Sequence, residues 1–351
     1  MKRNISLQIT LDYEIFGDGS GDVYREQIIP TNHLMDICEQ YGARLTVYFE
    51  YGQYWAFNKY AELDPKLKVM NLAIEEQLKD LVQRGHDVQF HLHPTWLEAT
   101  FSRDKGFTLK KDMYDITSLQ YDRIVDLLSQ GKSFLEGLLK QVDPNYTCFA
   151  FRAGAWSAQD SGKLVSALLE AGYKVDSTVA KGAHLKSDYG TFDFRITSKK
   201  PYWFVDNNIC LESDGNNTIL ELPILTKSTI MAPFYYFSKK RKFVNSIVTR
   251  FYATKVTDQG TNIIGKLKKI LLRDFVLADF NFMPSNTLFA MVKARIKEAG
   301  SHNLKFPITL IGHSKTSYQN DDLHLLFRML EAEYSVSYDT VTSYYLQNIE
   351  N

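Results

Sequence analysis

From Ile5 to Thr178 the chain alternates short apolar runs with longer amphipathic stretches, and three of those stretches stop at a glycine. Ile5–Leu11 is followed by Ile28–Tyr41 and Gly42. Arg44–Phe49 is followed by an aromatic loop over Tyr48–Tyr60, then by Leu72–Arg84 and Gly85. A run ending in His91-Leu92-His93 comes next, then Leu119–Val142, Cys148–Arg152, Asp160–Ala171 with Gly172, and Tyr173–Thr178. Short apolar runs read as buried strands, and 3.6-periodic stretches closed by Gly read as helices. A helix between two strands returns the chain to the same end of the sheet. The order therefore predicts parallel strands with helices outside. Beyond Thr178 the alternation relaxes into short strands over Gly190–Leu225, of which Thr218–Pro223 is the strongest. It resumes with a helix over Ser285–Ala299, a buried strand over Phe306–Ile311 and a last helix over Asp321–Glu333. A chain of 351 residues suits one α/β barrel.

Composition removes several function classes. Lys plus Arg equal Asp plus Glu at 41 each, so no global field draws the chain to nucleic acid or membrane. Cys38, Cys148 and Cys210 are widely spaced with no CxxC, which argues against a disulfide framework or a thiolate zinc site. The N-terminus MKRNISLQITLDYE has no apolar stretch of signal-peptide length, and no window of about twenty apolar residues occurs. A cytoplasmic protein is the expectation.

His91 and His93 are two residues apart in a strand, so both side chains point to one face. Function gathers at the carboxyl ends of parallel strands. Those ends read Asp12 and Glu14, His91 and His93, Arg152, Asp176, Glu221 and His313. Carboxylates, imidazoles and a guanidinium converging on one mouth are the inventory for metal-assisted hydrolysis.

At these positions the chain resembles the polysaccharide deacetylases of carbohydrate esterase family 4. Thr10-Leu11-Asp12-Tyr13 resembles the family's first motif, and Gly85-His86-Asp87 leading into His91 its second. Arg152-Ala153-Gly154-Ala155 resembles the third. Asp176-Ser177-Thr178 and Ile311-Gly312-His313 resemble the later segments, in the right order. The resemblance implies a distorted (β/α)7 barrel of deacetylase type, here as one domain over 1–351 with an insertion near 225–280. It implies a divalent metal, zinc first, and removal of an acyl group from an N-acylated sugar of a cell-surface polysaccharide or its precursor. Asp12 becomes the general base, Arg152 the residue holding it, and His313 the acid for the leaving amine. The family's metal Asp is Tyr13 here, and its second metal His is Thr95. Glu14, His91 and His93 are then the candidate ligands, with Asp12 as a further candidate and loss of the metal as the other outcome. Asp176 and Glu221 are placed to orient His313 or line the pocket, and Trp96 and Trp156 to stack on a sugar ring. A catalytically inactive carbohydrate-binding relative, and hydrolysis of another amide or of a glycosidic bond on the same barrel, are the alternatives.

Lys227–Arg273 is strongly basic, with Lys239, Lys240, Arg241 and Lys242 consecutive and Phe and Tyr interspersed. Basic charge beside aromatics is what an anionic lipid surface attracts. A peripheral contact at the inner membrane face, beside a lipid-linked substrate, is the expectation for this segment.

Overall fold

A computed structural model describes residues 2–187, 190–229, 274–298, 305–317 and 320–350. Seven parallel strands form its centre: β1 (Arg3–Tyr13), β2 (Leu45–Glu50), β3 (Asp87–Leu92), β4 (Ala150–Ala153), β5 (Val175–Asp176), β6 (Ile219–Glu221) and β7 (Phe306–His313). The order around the sheet is β6-β5-β4-β3-β2-β1-β7. Ile224, just past β6, bridges Thr309 of β7 in parallel, and the Leu225 N–H donates to the Thr309 carbonyl at 2.8 Å. That contact closes a distorted (β/α)7 barrel. Trp203–Val205 runs antiparallel on the far edge of β6, and Tyr334–Ser337 adds to the start of β1.

Strand β1 shows why the sequence makes a barrel. Ile5, Leu7, Ile9, Leu11 and Tyr13 are buried in the main apolar core. Ser6, Gln8, Thr10 and Asp12 alternate with them and are equally buried. The alternation sends one set outward to the helices and the polar set into the barrel, where its hydrogen bonds are made. Gln8 donates to Ser6, Ser6 to Asp339, and Arg152 to Thr10 and Asp12.

The surrounding helices are α1 (Ile29–Glu39), α2 (Tyr51–Tyr60), α3 (Pro65–Gln83), α4 (Tyr121–Leu139), α5 (Gly162–Glu170), α6 (Ser285–Glu298), α7 (Asp322–Glu333) and α8 (Val341–Asn348). Of the Tyr48–Tyr60 segment, Tyr48–Glu50 complete β2 and Tyr51–Tyr60 form helix α2, not a loop. Glu50 caps it by accepting from the Gly52 N–H at 2.7 Å. The hairpin Thr100–Ser102/Gly106–Thr108 and helix α8 carry no periodicity long enough to read.

Thr226–Thr229 and Asp274–Leu277 pair antiparallel and bracket the insertion. Residues 230–273, which hold nearly all of the basic segment, lie outside the described residues. The returning chain then lies along β7, with Asp279 opposite Ile311. Gly312 permits this approach, because a Cβ there would lie 2.2 Å from the Phe280 ring. Among the described residues no helix is long and apolar enough to cross a membrane.

Candidate active site

The carboxyl ends of the strands bring Asp12, Glu14, Glu50, His91, His93, Arg152, Asp279, His313 and Lys315 together. Register sets their level: Asp12 is opposite His313, Glu50 opposite His91, and His91 opposite Arg152.

Arg152 is fully buried and reaches across the barrel from β4 to β1. It donates to Asp12 Oδ1 at 2.6 Å, to Thr10 Oγ1 at 2.9 Å, to the Ser177 carbonyl at 2.9 Å and to Ser177 Oγ at 3.0 Å. Its guanidinium carbon lies 4.1 Å from the Tyr48 ring centroid. Burial opposes ionisation of Asp12, but the charge of Arg152, joined by His91 and His313, outweighs it and holds the carboxyl below the usual range. The other Asp12 oxygen lies 3.7 Å from His313 Nε2, and His313 Nδ1 lies 3.5 Å from Asp279 Oδ2. These four side chains form an Arg–Asp–His–Asp row.

Beside the row stands a cluster of potential ligands. Atoms of Glu14, Glu50, His91 and His93 all lie within 4.8 Å of one another, and so do atoms of Asp12, Glu14 and His313. His91 Nδ1 is 2.8 Å from the Arg152 carbonyl, so that nitrogen carries the proton. His91 Nε2 is buried without a hydrogen-bond partner among the described residues. Its lone pair points into the cluster, the usual arrangement of an imidazole prepared for a cation. Burial lowers the pKa of His91, which favours this neutral form.

His93 is arranged differently. Its Nε2 accepts the Ala155 N–H at 3.1 Å, and its Nδ1 lies 2.5 Å from Glu50 Oε2 and 3.3 Å from Glu14 Oε2. Burial opposes charging of His93, yet the two carboxylates outweigh it and raise its pKa. An amide hydrogen aimed at Nε2 requires a lone pair there, so the ring proton sits on Nδ1, toward the carboxylates. The turn that aims this amide is strained: Ala155 and Trp156 both have φ of 52°. A Cβ on Gly154 would lie 2.6 Å from the His93 ring, so only glycine lets the turn approach.

Glu14 is the carboxylate common to both ligand groups. Burial opposes its ionisation, but Lys315 and then His93 outweigh it and push its pKa far down. Lys315 donates to Glu14 Oε1 at 2.7 Å. Tyr13 points away, donating to Gln77 on α3 at 2.7 Å, and so leaves the site to Glu14.

Three expectations are corrected. Trp96 is 2% exposed and packs edge-on against Phe57 and Phe107, so it has no face for a sugar. Asp176 and Glu221 are fully buried and face each other, and therefore line no open pocket. Burial raises both carboxyls, and the Asp176 charge raises Glu221 further. The group beside His313 is Asp279 instead. Trp156 is partly exposed, with its ring centroid 6.3 Å from that of His313.

Glu50, Asp279 and Lys315 were not among the residues singled out from the sequence. Glu50 sits one residue past the expected end of β2. Lys315 shares His313's parity beyond β7. Asp279 follows the insertion, where no sequence signal marks a return to the barrel.

No protein-family model matches the chain, and no curated protein matches it. Among solved structures it is similar to a Mycobacterium smegmatis protein assigned as a polysaccharide deacetylase, at 12% identity and a TM-score of 0.48, covering 99% of this chain and 91% of that one. It is similar to Puue allantoinase, at 9% identity and a TM-score of 0.45, covering 98% and 91%. A Pseudomonas aeruginosa PAO1 protein assigned as a polysaccharide deacetylase gives 11% identity and a TM-score of 0.45, covering 98% and 91%. At these values the site's own geometry has to carry any functional reading.

Proposed function

We propose that this protein is a metal-dependent hydrolase that removes the acyl group from an N-acylated sugar of a cell-surface glycan or its precursor. The observation that carries the reading is the Arg152–Asp12–His313–Asp279 row beside the open Nε2 of His91. It supplies an ionised carboxylate and an imidazole on either side of one position, as acyl transfer to water requires.

His91, Glu14 and Glu50 would hold the cation, with Glu50 in place of the expected ligand His93, whose Nε2 accepts the Ala155 N–H, and zinc suits imidazole and carboxylate donors. When bound, such a cation polarises the acyl oxygen and makes water more acidic. Arg152 keeps Asp12 ionised and in place. Asp12 takes a proton from the attacking water as its oxygen bonds to the acyl carbon. His313, oriented by Asp279, gives a proton to the nitrogen as the C–N bond breaks. The products are a carboxylic acid and a free amine. Trp156 at the rim offers a flat face to the sugar.

The experiment is release of acetate or formate from N-acylated sugars, nucleotide- and lipid-linked ones included, by wild type and Asp12→Asn. Turnover should fall by roughly 10²–10⁴-fold, the range for lost acid–base catalysis. No release by the wild type from a broad panel would move the reading to a carbohydrate-binding protein.

A further inference from the structure

We infer that Lys315 is a built-in competitor of the metal: its ammonium takes one oxygen of Glu14, so the cation receives only the other and is held more weakly. The inference rests on the metal reading above and deepens it. Both side chains are almost fully buried, Lys315 at 4% exposure and Glu14 at 5%. Lys315 Nζ donates to Glu14 Oε1 at 2.7 Å, whereas Oε2 is turned to the ligand cluster, 3.3 Å from His93 Nδ1.

The pairing is fixed by the backbone as well as by charge. Lys315 sits in a short 3-10 turn, Ser314–Thr316, directly after β7. The Glu14 N–H donates to Ser314 Oγ at 3.1 Å, and Ser314 Oγ donates back to the Glu14 carbonyl at 3.2 Å. Asn281 holds the same turn from the other side, donating to the His313 carbonyl and to Thr316 Oγ1 at 2.7 Å each. The lysine is therefore anchored at its root to the residue it pairs with.

Charge balance sets the consequence. Asp12, Glu14, Glu50 and Asp279 supply four negative charges to this cluster, and Arg152 and Lys315 two positive ones. Without Lys315 the cluster carries one positive charge fewer, and Glu14 is free to offer both oxygens. A unit positive charge a few ångströms from a divalent ion costs affinity, and its removal restores that affinity.

The test uses full-length protein stripped with chelator and titrated with zinc against a chromophoric chelator. Lys315→Met should bind zinc at least roughly tenfold more tightly than wild type. Lys315→Arg, which keeps the charge, should stay within about threefold. Lys315→Gln keeps an N–H donor for Glu14 without the charge and should behave like Met, which covers the case in which Met fails to fold. For any variant of low stability, the rise in melting temperature on adding zinc gives the same ranking. If folded Met and Gln variants bind zinc no more tightly than wild type, the inference is overturned while the metal reading stands. If neither wild type nor these variants bind zinc, the metal reading itself fails.

Discussion

Arg152→Met is the perturbation whose cost the structure allows to be worked out. Methionine fills much the same volume, so the main loss is electrostatic. Four hydrogen bonds and the stacking on Tyr48 go, and Asp12 is left as a buried carboxylate without its partner. Breaking a buried pair from one side costs about 3–5 kcal/mol. For 351 residues the unfolding entropy is about 0.7 kcal/mol/K, so the melting temperature should fall by about 4–7 °C. The pH dependence has a definite sign. In the wild type the Asp12 pKa is lowered, so its contribution is present above the unfolded carboxyl pKa and fades as pH falls through the folded value. In the variant, burial is opposed only by His91 and His313 and raises the Asp12 pKa, so the protein gains stability as acid neutralises the group. The gap between the two proteins should therefore narrow from pH 8 toward pH 5. Asp12→Asn on top of Arg152→Met should recover part of the loss, because it removes the stranded charge. Chemical denaturation at several pH values measures all of this. A loss below about 1 kcal/mol at pH 7, or no recovery in the double variant, would refute the claim that this pair organises the barrel mouth.

Four further outcomes are expected. His91→Ala should abolish stoichiometric zinc binding by elemental analysis, whereas His93→Asn should weaken it by roughly 10–100-fold, the effect of losing a group that orients a ligand. Asp279→Asn should lower kcat more than it raises KM, by less than the roughly 10²–10⁴-fold expected for loss of His313 itself, in the deacylation assay. Gly154→Ala should lower zinc affinity in the same titration, since the added Cβ would lie 2.6 Å from the His93 ring and must displace it. For the segment 227–273, replacing Lys239, Lys240, Arg241 and Lys242 with Gln should reduce co-sedimentation with anionic vesicles at low salt. Wild-type binding should itself weaken at high salt.

The fold was legible because each barrel strand carries its own signal. Ile5–Leu11 alternates apolar and polar residues, and both sets end buried, one outside the barrel and one within it. The glycine stops at Gly42, Gly85 and Gly172 all adopt positive φ, as helix-ending glycines do. What stayed hidden is short or depends on distant partners. The extent of strand β5 is one case: the sequence predicts a strand over Tyr173–Thr178, but pairing with its neighbours limits it to Val175–Asp176. Helix α2 reads as an aromatic loop because its apolar residues cover most of its circumference, a pattern that fits burial all round as well as no helix at all.

At the site, residues that point inward from a predicted strand end could be found, while residues whose role depends on what crosses the barrel could not. Asp12, His91, Arg152 and His313 fall on strand ends in phase with the interior, and the structure joins three of them in one row. Asp176 and Glu221 satisfy the same rule and yet face each other, because parity gives the face and not the height of a residue above the barrel floor. His93 shares the parity of His91 but lies one residue past the end of β3, where the Gly154–Trp156 turn can reach it. That turn converts two histidines of one sequence motif into chemically different groups: one keeps a lone pair for a cation, and the other spends its lone pair on a backbone amide and its proton on carboxylates. Sequence spacing alone treats them as equivalent. The distinction comes from an amide on a different strand–loop unit, held in a conformation that only the folded barrel stabilises.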